Sequence, residues 1–330
     1  MTTQHPLKTR RNGFVLVIVL GMLILLSIIL LAFNRQSRAA LHSADRFSKS
    51  RQAQTAALAG LNIAIAALRD NPDIRTNRTL ASILAGQTTF EVGDATCSIT
   101  LAEESGKLNV NLLTGKDGVV NRPATERLLR LIELINRDGP AKPVACDIVP
   151  AIIDWTDADE QATCLSFVKF QNLGAESDYY NTLACPYNCK NAPFDATEEL
   201  LLIKGVSAET FGLLREYLTV YGDGQVNINA APQKVIECLS EKMDPALARL
   251  IVERRKFKPF ESISELRNIP GMPDSVYQSI KKNVCVTPNQ TCYHVLSRAN
   301  LASVSSEVTA VLGVNHEAKS VDVILYKEFQ

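Results

Sequence analysis

Polarity changes sharply near the start of this chain, and the change predicts its first element. From Gly13 to Phe33 the residues are apolar apart from Ser27 and Gly21. Roughly 20 helical residues at about 1.5 Å each cross a hydrocarbon core of about 30 Å, so this run predicts a membrane-spanning helix. Beyond Asn34 the helical spacing continues through Ala39, Ala40, Leu41, Ala53, Ala56, Ala57, Leu58, Leu61, Ile65 and Leu68 until Asn71-Pro72 stops it. Arg35, Arg38, Asp45, Arg46, Lys49 and Arg51 give the outer half a wet face and leave a narrow apolar stripe. One long helix is expected, half in lipid, with its outer stripe packed on a sheet.

The pattern then shifts to period two. Thr89-Phe90-Glu91-Val92, Cys97-Ser98-Ile99-Thr100-Leu101 and Lys107-Leu108-Asn109-Val110-Asn111 alternate as strands do. An amphipathic helix follows over 125–136, and helical patterning dominates to about Asn283. Alternation returns at 308–314 and 320–329, with Asn315-His316-Glu317 as the turn between. These segments predict an α+β fold: a small antiparallel sheet built from both chain ends, packed on the first helix, with a large helical domain inserted. Neither the stripe nor an isolated hairpin buries enough surface alone.

Charge sets the orientation. Lys8, Arg10 and Arg11 precede the apolar run with no acid among them, which places the amino end in the cytoplasm and the rest beyond the membrane. The run is too long for an ordinary removable signal. Arg10-Arg11-Asn12-Gly13-Phe14 resembles the prepilin leader of type IV pilins and type II secretion pseudopilins, which a prepilin peptidase cuts after the glycine. That resemblance implies processing between Gly13 and Phe14; the competing reading is a plain single-pass anchor. Those families place a glutamate at the fifth mature position, where this chain has Ile18. An apolar residue cannot offset a neighbour's desolvated ammonium, so this subunit suits the end of a filament better than its shaft.

Across 330 residues, 46% hydrophobic and 21% charged with zero formal net charge, the composition fits a folded chain and argues against a general nucleic-acid binder. Eight cysteines in an exported chain read as disulfides. Cys285 and Cys292 flank a turn-like stretch and form the expected pair. Cys185 and Cys189 are a weaker pair, with zinc as the alternative, though no nearby histidine completes a tetrahedral set. Pairing among Cys97, Cys146, Cys164 and Cys238 stays open.

Candidate chemistry concentrates between Asp154 and Asp178, where Asp154, Asp157, Asp159, Glu160, Glu176 and Asp178 offer many carboxylate oxygens. Hard oxygens suit Ca²⁺, although a solvated acidic loop matches the spacing too. Paired acids could also serve a glycosidase, but their clustering suits a cation better. No nucleophile motif accompanies the four histidines, so an enzyme is not expected. Two stretches, 198–206 and 260–272, are similar to helix-hairpin-helix modules, and Arg249, Arg254, Arg255, Lys256 and Lys258 precede the second. A DNA-uptake pseudopilin is therefore the competing function, against which stand the acidic first module and the neutral chain.

The whole organisation resembles the minor pseudopilin K family of type II secretion systems. Glu104-Ser105-Gly106-Lys107-Leu108-Asn109-Val110-Asn111, Asp154-Trp155-Thr156-Asp157-Ala158-Asp159, Gly174-Ala175-Glu176, Tyr179-Tyr180, Asn191-Ala192-Pro193-Phe194 and Val226-Asn227-Ile228-Asn229-Ala230-Ala231-Pro232 carry that resemblance. It implies a pilin-like domain with two SAM-like or helix-hairpin-helix-like modules inserted. The expected divisions are a leader over 1–13, a transmembrane half-helix over 14–33, and a first pilin-like part over 34–112. Insert modules follow over 113–224 and 225–285, with closing strands over 286–330. The resemblance also implies structural calcium, held by Asp154, Asp157, Asp159, Glu176 and Asp178 with Glu160 and Asn191 as weaker ligands. Its implied partners are minor pseudopilins I and J, the prepilin peptidase and the inner-membrane assembly platform. The implied place is the inner membrane, single pass, with the bulk of the chain in the periplasm, at the tip of a pseudopilus that helps export folded proteins.

Overall fold

The structure is a computed structural model and describes residues 12–71, 77–84, 88–115, 118–170, 172–288, 290–315, 318 and 320–329. Lys8, Arg10 and Arg11 of the leader, Pro72, His316 and Glu317 lie outside them. Helix α1, Asn12–Asp70, is one continuous rod of 59 residues. Its first half is apolar and exposed from Phe14 to Phe33, as a lipid-facing segment is. In its second half Ala53, Ala56, Ala57, Leu61, Ala64 and Leu68 are buried, recurring every three to four residues along one face. Short α2, Arg78–Leu84, turns back beneath it. Asn77 makes that turn: its Oδ1 accepts from the Thr79 and Leu80 amides, and its Nδ2 donates to the carbonyls of Ala67 and Asn71.

The buried stripe of α1 rests on a five-stranded antiparallel sheet. Its strands are β1 (Thr89–Val92), β2 (Ala95–Glu103) and, after the insert described next, β7 (Gln290–Leu301), β8 (Val304–Asn315) and β9 (Ser320–Phe329), in the spatial order β1-β2-β7-β8-β9. Ile99, Leu101, Val295, Val308, Ala310 and Leu312 face the helix. Gly60 lets the two approach closely, since a Cβ there would lie 2.8 Å from Cys97 Sγ and collide with Ser297 Oγ. β7 is the strand the alternation did not delimit, and it is central: it pairs β2 from Thr96↔Asn300 to Glu103↔Tyr293 and β8 along its whole length.

The insert leaves the sheet at Glu103 and returns at Gln290, on neighbouring strand ends. Its elements are β3 (Leu108–Asn109), α3 (Arg122–Arg137), α4 (Ile148–Thr156), α5 (Ser177–Tyr180), α6 (Ala208–Leu214), β4 (Leu218–Thr219), β5 (Val226–Asn227), α7 (Gln233–Cys238), α8 (Pro245–Phe257), α9 (Asp274–Ile280) and β6 (Val284–Cys285). They share a second core that excludes α1 and the sheet. The expected boundary at residue 112 moves accordingly: Leu108 and Val110 are in the insert's core, and β3 pairs β4, so the crossing falls at Glu103-Glu104. Gly106 seals the crossing, because a Cβ there would meet the Ala230-Ala231 backbone at 2.6 Å.

The insert repeats itself. Parallel pairs β3·β4 and β5·β6 join the start of each equivalent half to its end, and each half carries a 3-10 turn, a glycine of positive φ (Gly205, Gly271) and a short helix. These are the helix-hairpin-helix-like modules, used internally. Four of the five basic residues before the second are engaged: Arg254 with Glu265, Lys256 with Glu253, Lys258 with Glu261, and Arg255 donating to the Ile228 carbonyl at 2.6 Å. In the structure all eight cysteines are free thiols, so neither expected bridge is present in it. Cys285 Sγ points to the Gln225 carbonyl at 4.0 Å, and Cys189 Sγ to the Asp154 carbonyl at 3.4 Å, while Cys185 is exposed. Turn-like spacing and compartment carried those pairings, and neither fixes where two Cβ vectors aim.

Candidate metal centre

The acidic loop closes over the end of α4. Ile148, Val149, Ile152 and Ile153 bury that helix in the insert core, which carries Asp154 inside with its side chain fully buried. Asp157 caps the helix in an extended conformation, its amide donating to the Ile153 carbonyl at 3.0 Å. The chain then loops out and returns through Gly174-Ala175-Glu176. A Cβ at position 174 would overlap the Asp154 carboxylate, so the glycine is what admits it. Around the loop Trp155, Tyr180 and Tyr187 stack edge-on or face-on, with Trp155 and Tyr180 centroids 5.5 Å apart. Below, Lys190 ties the loop to Glu199 at 2.8 Å.

Asp154, Asp157 and Glu176 converge so that one carboxylate oxygen from each lies within 4.8 Å of the others, and all three are buried. Their hydrogen bonding is incomplete. Asp154 Oδ1 accepts from the Thr163 amide at 2.9 Å, but Asp154 Oδ2, Asp157 Oδ1 and both Glu176 oxygens are buried with no donor. Among the described residues none of the three pairs with a lysine or arginine. Asn191 joins them: its Oδ1 is likewise buried and without a donor, its φ is +48°, and its Nδ2 donates to the Asp159 carbonyl and to Glu160 Oε1.

Such a group is costly in water's absence, since like charges at close range in a poorly solvated pocket oppose ionisation. Burial and then the Asp154 charge push Asp157 up to about 7; burial, then Asp154 and Asp157, push Glu176 up to about 8. Asp154 is raised as well, chiefly by burial. Buried, donor-less oxygens of carboxylate and amide type are what a hard cation requires. Cys189 beside them is no thiolate: burial pushes its thiol up to about 12.

The structure sorts the expected ligands. Asp154, Asp157 and Glu176 come together, and Asn191, a weaker candidate, aims its oxygen with them. Asp159 stays exposed with Oδ1 on the Gln161 amide, although its charge still raises Asp154 and Asp157. Asp178 is exposed on α5, and Glu160 sits outside, accepting from Asn191 and Ser177. Nothing in sequence spacing separates Asp157 from Asp159; the extended turn at Asp157 does.

Two sequence profiles, both described as type II secretion system (T2SS), protein K, match the chain, one over 106–223 and the other over 226–286, together more than half of it. The chain belongs to the type II secretion system protein K family. As a protein K it is a minor pseudopilin, a structural component of that export system. It is 24% identical to type II secretion system protein K of Pectobacterium carotovorum subsp. carotovorum over 299 residues, 85% of this chain and 86% of that protein. It is 32% identical to the Aeromonas hydrophila protein K over 85 residues, 26% and 24% of the two chains. Its fold matches a chain in the crystal structure of the GspK-GspI-GspJ complex from the type 2 secretion system of enterotoxigenic Escherichia coli, with TM-score 0.63 and 17% identity, covering 89% of this chain and 99% of that one. Protein K membership gives no support to the DNA-uptake reading. The hairpin glycines, Gly205 and Gly271, instead supply the left-handed turns within its two insert modules.

Proposed function

We propose that this protein K sits at the tip of a type II secretion pseudopilus, anchored by α1 in the inner membrane with its insert in the periplasm. Minor pseudopilins I and J are its companions there, as in the complex that the similar fold comes from. The observation that supports this reading best is where the insert attaches. Residues 104–289 leave and rejoin adjacent strand ends of a small sheet, so a second domain larger than the first projects from one end of the pilin-like unit. A shaft repeats its subunits closely, and that bulk suits only a terminal position. Ile18 in place of a glutamate agrees.

Processing between Gly13 and Phe14 by a prepilin peptidase, with methylation of the new amino terminus and assembly on the inner-membrane platform, follows from the leader. The acidic cluster serves as a structural calcium site. Asp154, Asp157, Glu176 and Asn191 hold the ion, which supplies the positive charge that their oxygens lack, and the loop over 157–176 is pinned to α4 by it. The protein works by shape and contact rather than by turnover.

Immunogold labelling of purified pseudopili tests the position: gold at one end per fibre supports the tip, and gold spaced along shafts ends the proposal. Amino-terminal sequencing of membrane-extracted protein tests processing, with Phe14 expected and Met1 excluding it.

A further inference from the structure

A cavity of about 210 Å³ lies where the two insert modules meet, beside the link 223–225. Its lining is mixed: Leu108, Val110, Leu113, Leu128 and Leu218 of the first module give it a buried apolar side, and Asn109, Asn121 and Gln225 are polar. Arg127 of α3 stands in it, and Lys282 and Asn283 close the second-module side. Pockets that bind small molecules favour such junctions, with apolar walls and a few placed polar groups.

Arg127 is the informative residue. Its Nε donates to the Pro123 carbonyl at 3.1 Å, one turn back on its own helix. Among the described residues its other guanidinium nitrogens meet no acceptor, and no carboxylate pairs with it. Burial lowers its basicity, which marks a cation poorly served by water. Lys282 on the exposed rim also has no ion-pair partner among the described residues. Asp223 is the acid in the lining; it is exposed, and its Oδ1 already accepts from the Gln225 amide at 3.1 Å. Arg127 also walls a neighbouring cleft, lined by Arg130, Lys242, Ser240 and Ser279 together with Glu126 and Glu241. Glu126 there is taken by Arg122 at 2.8 Å.

We infer that this cavity binds a small carboxylate with a branched aliphatic body, its carboxylate on Arg127 and its apolar end against Leu108, Leu128 and Leu218. A guanidinium offers two parallel donors that match a carboxylate, and the volume, below the roughly 300 Å³ of a drug-sized pocket, holds about one aliphatic side chain. The same chemistry belongs to the carboxy-terminal residue of a peptide ending in leucine and to a free branched-chain acid.

Saturation-transfer NMR on the full chain in detergent tests this with 4-methylpentanoate, its neutral amide 4-methylpentanamide, and N-acetyl-leucine. Both acids should bind at least about tenfold more tightly than the amide, and Arg127→Met should remove that preference. Lys282→Ala, at an exposed position that leaves the fold alone, should weaken both acids by a few fold. Tighter binding of N-acetyl-leucine identifies a peptide end, and tighter binding of 4-methylpentanoate a free acid. Equal binding of acid and amide to the unaltered chain, or no saturation transfer to either acid, overturns the inference without recourse to a variant.

Discussion

Asn111 and Asn229 make the same three hydrogen bonds in the two halves of the insert. Asn111 Nδ2 donates to the carbonyls of Phe194 at 3.0 Å and Val220 at 3.0 Å, and its Oδ1 accepts from the Phe194 amide at 2.7 Å. Asn229 Nδ2 donates to Phe260 and Val286, both at 3.0 Å, and its Oδ1 accepts from the Phe260 amide at 2.8 Å. Even the preceding asparagine recurs, with Asn109 and Asn227 each accepting from the amide two residues on. Each clamp joins the start of its module to the residue just after the strand that closes it and to the phenylalanine before its 3-10 turn.

Replacing either asparagine by alanine should therefore cost a similar amount. Three bonds are lost and a partly buried backbone amide and carbonyls are left without partners, so about 3 kcal/mol is expected at each site. Urea unfolding followed by circular dichroism measures it. A loss under about 0.5 kcal/mol at one site alone would show the two clamps unequal, and the repeat would then be one of form only.

The long helix, the helical insert and the chain-end strands were legible because their periodicities are regular: α1 buries Ala53, Ala56, Ala57, Leu61 and Leu68 of its stripe, while Ala39, Ala40 and Leu41 stay exposed nearer the apolar half, and β8 and β9 cover both alternating stretches. β7 was less so, since its pattern from Gln290 to Leu301 mixes Ser297, Arg298 and Asn300 with buried Val295 and Ala299. The boundary at Glu103-Glu104 was illegible for a different reason. Leu108 and Val110 alternate as sheet residues do, but the strand they pair is Leu218–Thr219, more than a hundred residues on. At the acidic loop, sequence supplied the ligand types and all three converging acids, whereas only backbone conformation distinguishes Asp157 inside from Asp159 and Asp178 outside.

Ligand substitutions should follow that division. Asp154→Ala, Asp157→Ala and Glu176→Ala should each abolish calcium binding in isothermal titration of the chelator-treated chain. Asn191→Ala should weaken it about tenfold, and Asp178→Ala should leave it within about twofold. Loss of binding on Asp178→Ala with retention on Glu176→Ala would reverse the assignment.

The chelated chain should lose stability as pH rises. Asp157 and Glu176 have folded-state values of about 7 and about 8, above the ordinary carboxylate range that the unfolded chain shows. Across that window the folded state holds more protons than the unfolded one, so stability is greatest at low pH and is lost as pH climbs through about 7 and then about 8. Calcium replaces those protons and should cancel the loss. In EGTA the melting temperature should be several degrees lower at about pH 8 than at about pH 5.5, and with calcium the difference should vanish. A chelated chain more stable at the higher pH would show that the three acids already have a cationic partner.

Gly60 tests how α1 is seated. The helix meets the sheet there closely enough that a Cβ would collide with Ser297 Oγ and lie 2.8 Å from Cys97 Sγ. Those two side chains already contact each other at 3.4 Å in a buried position, so neither can swing aside freely. Gly60→Ala should cost about 1–3 kcal/mol through overpacking, despite alanine's better helix propensity. Adding Ser297→Ala removes the atom that collides and should restore part of the loss, which a double-mutant cycle reads as coupling. The insert has its own core, so the Gly60→Ala chain should keep its calcium affinity. A variant as stable as the original would mean that helix and sheet stand further apart than this packing has them.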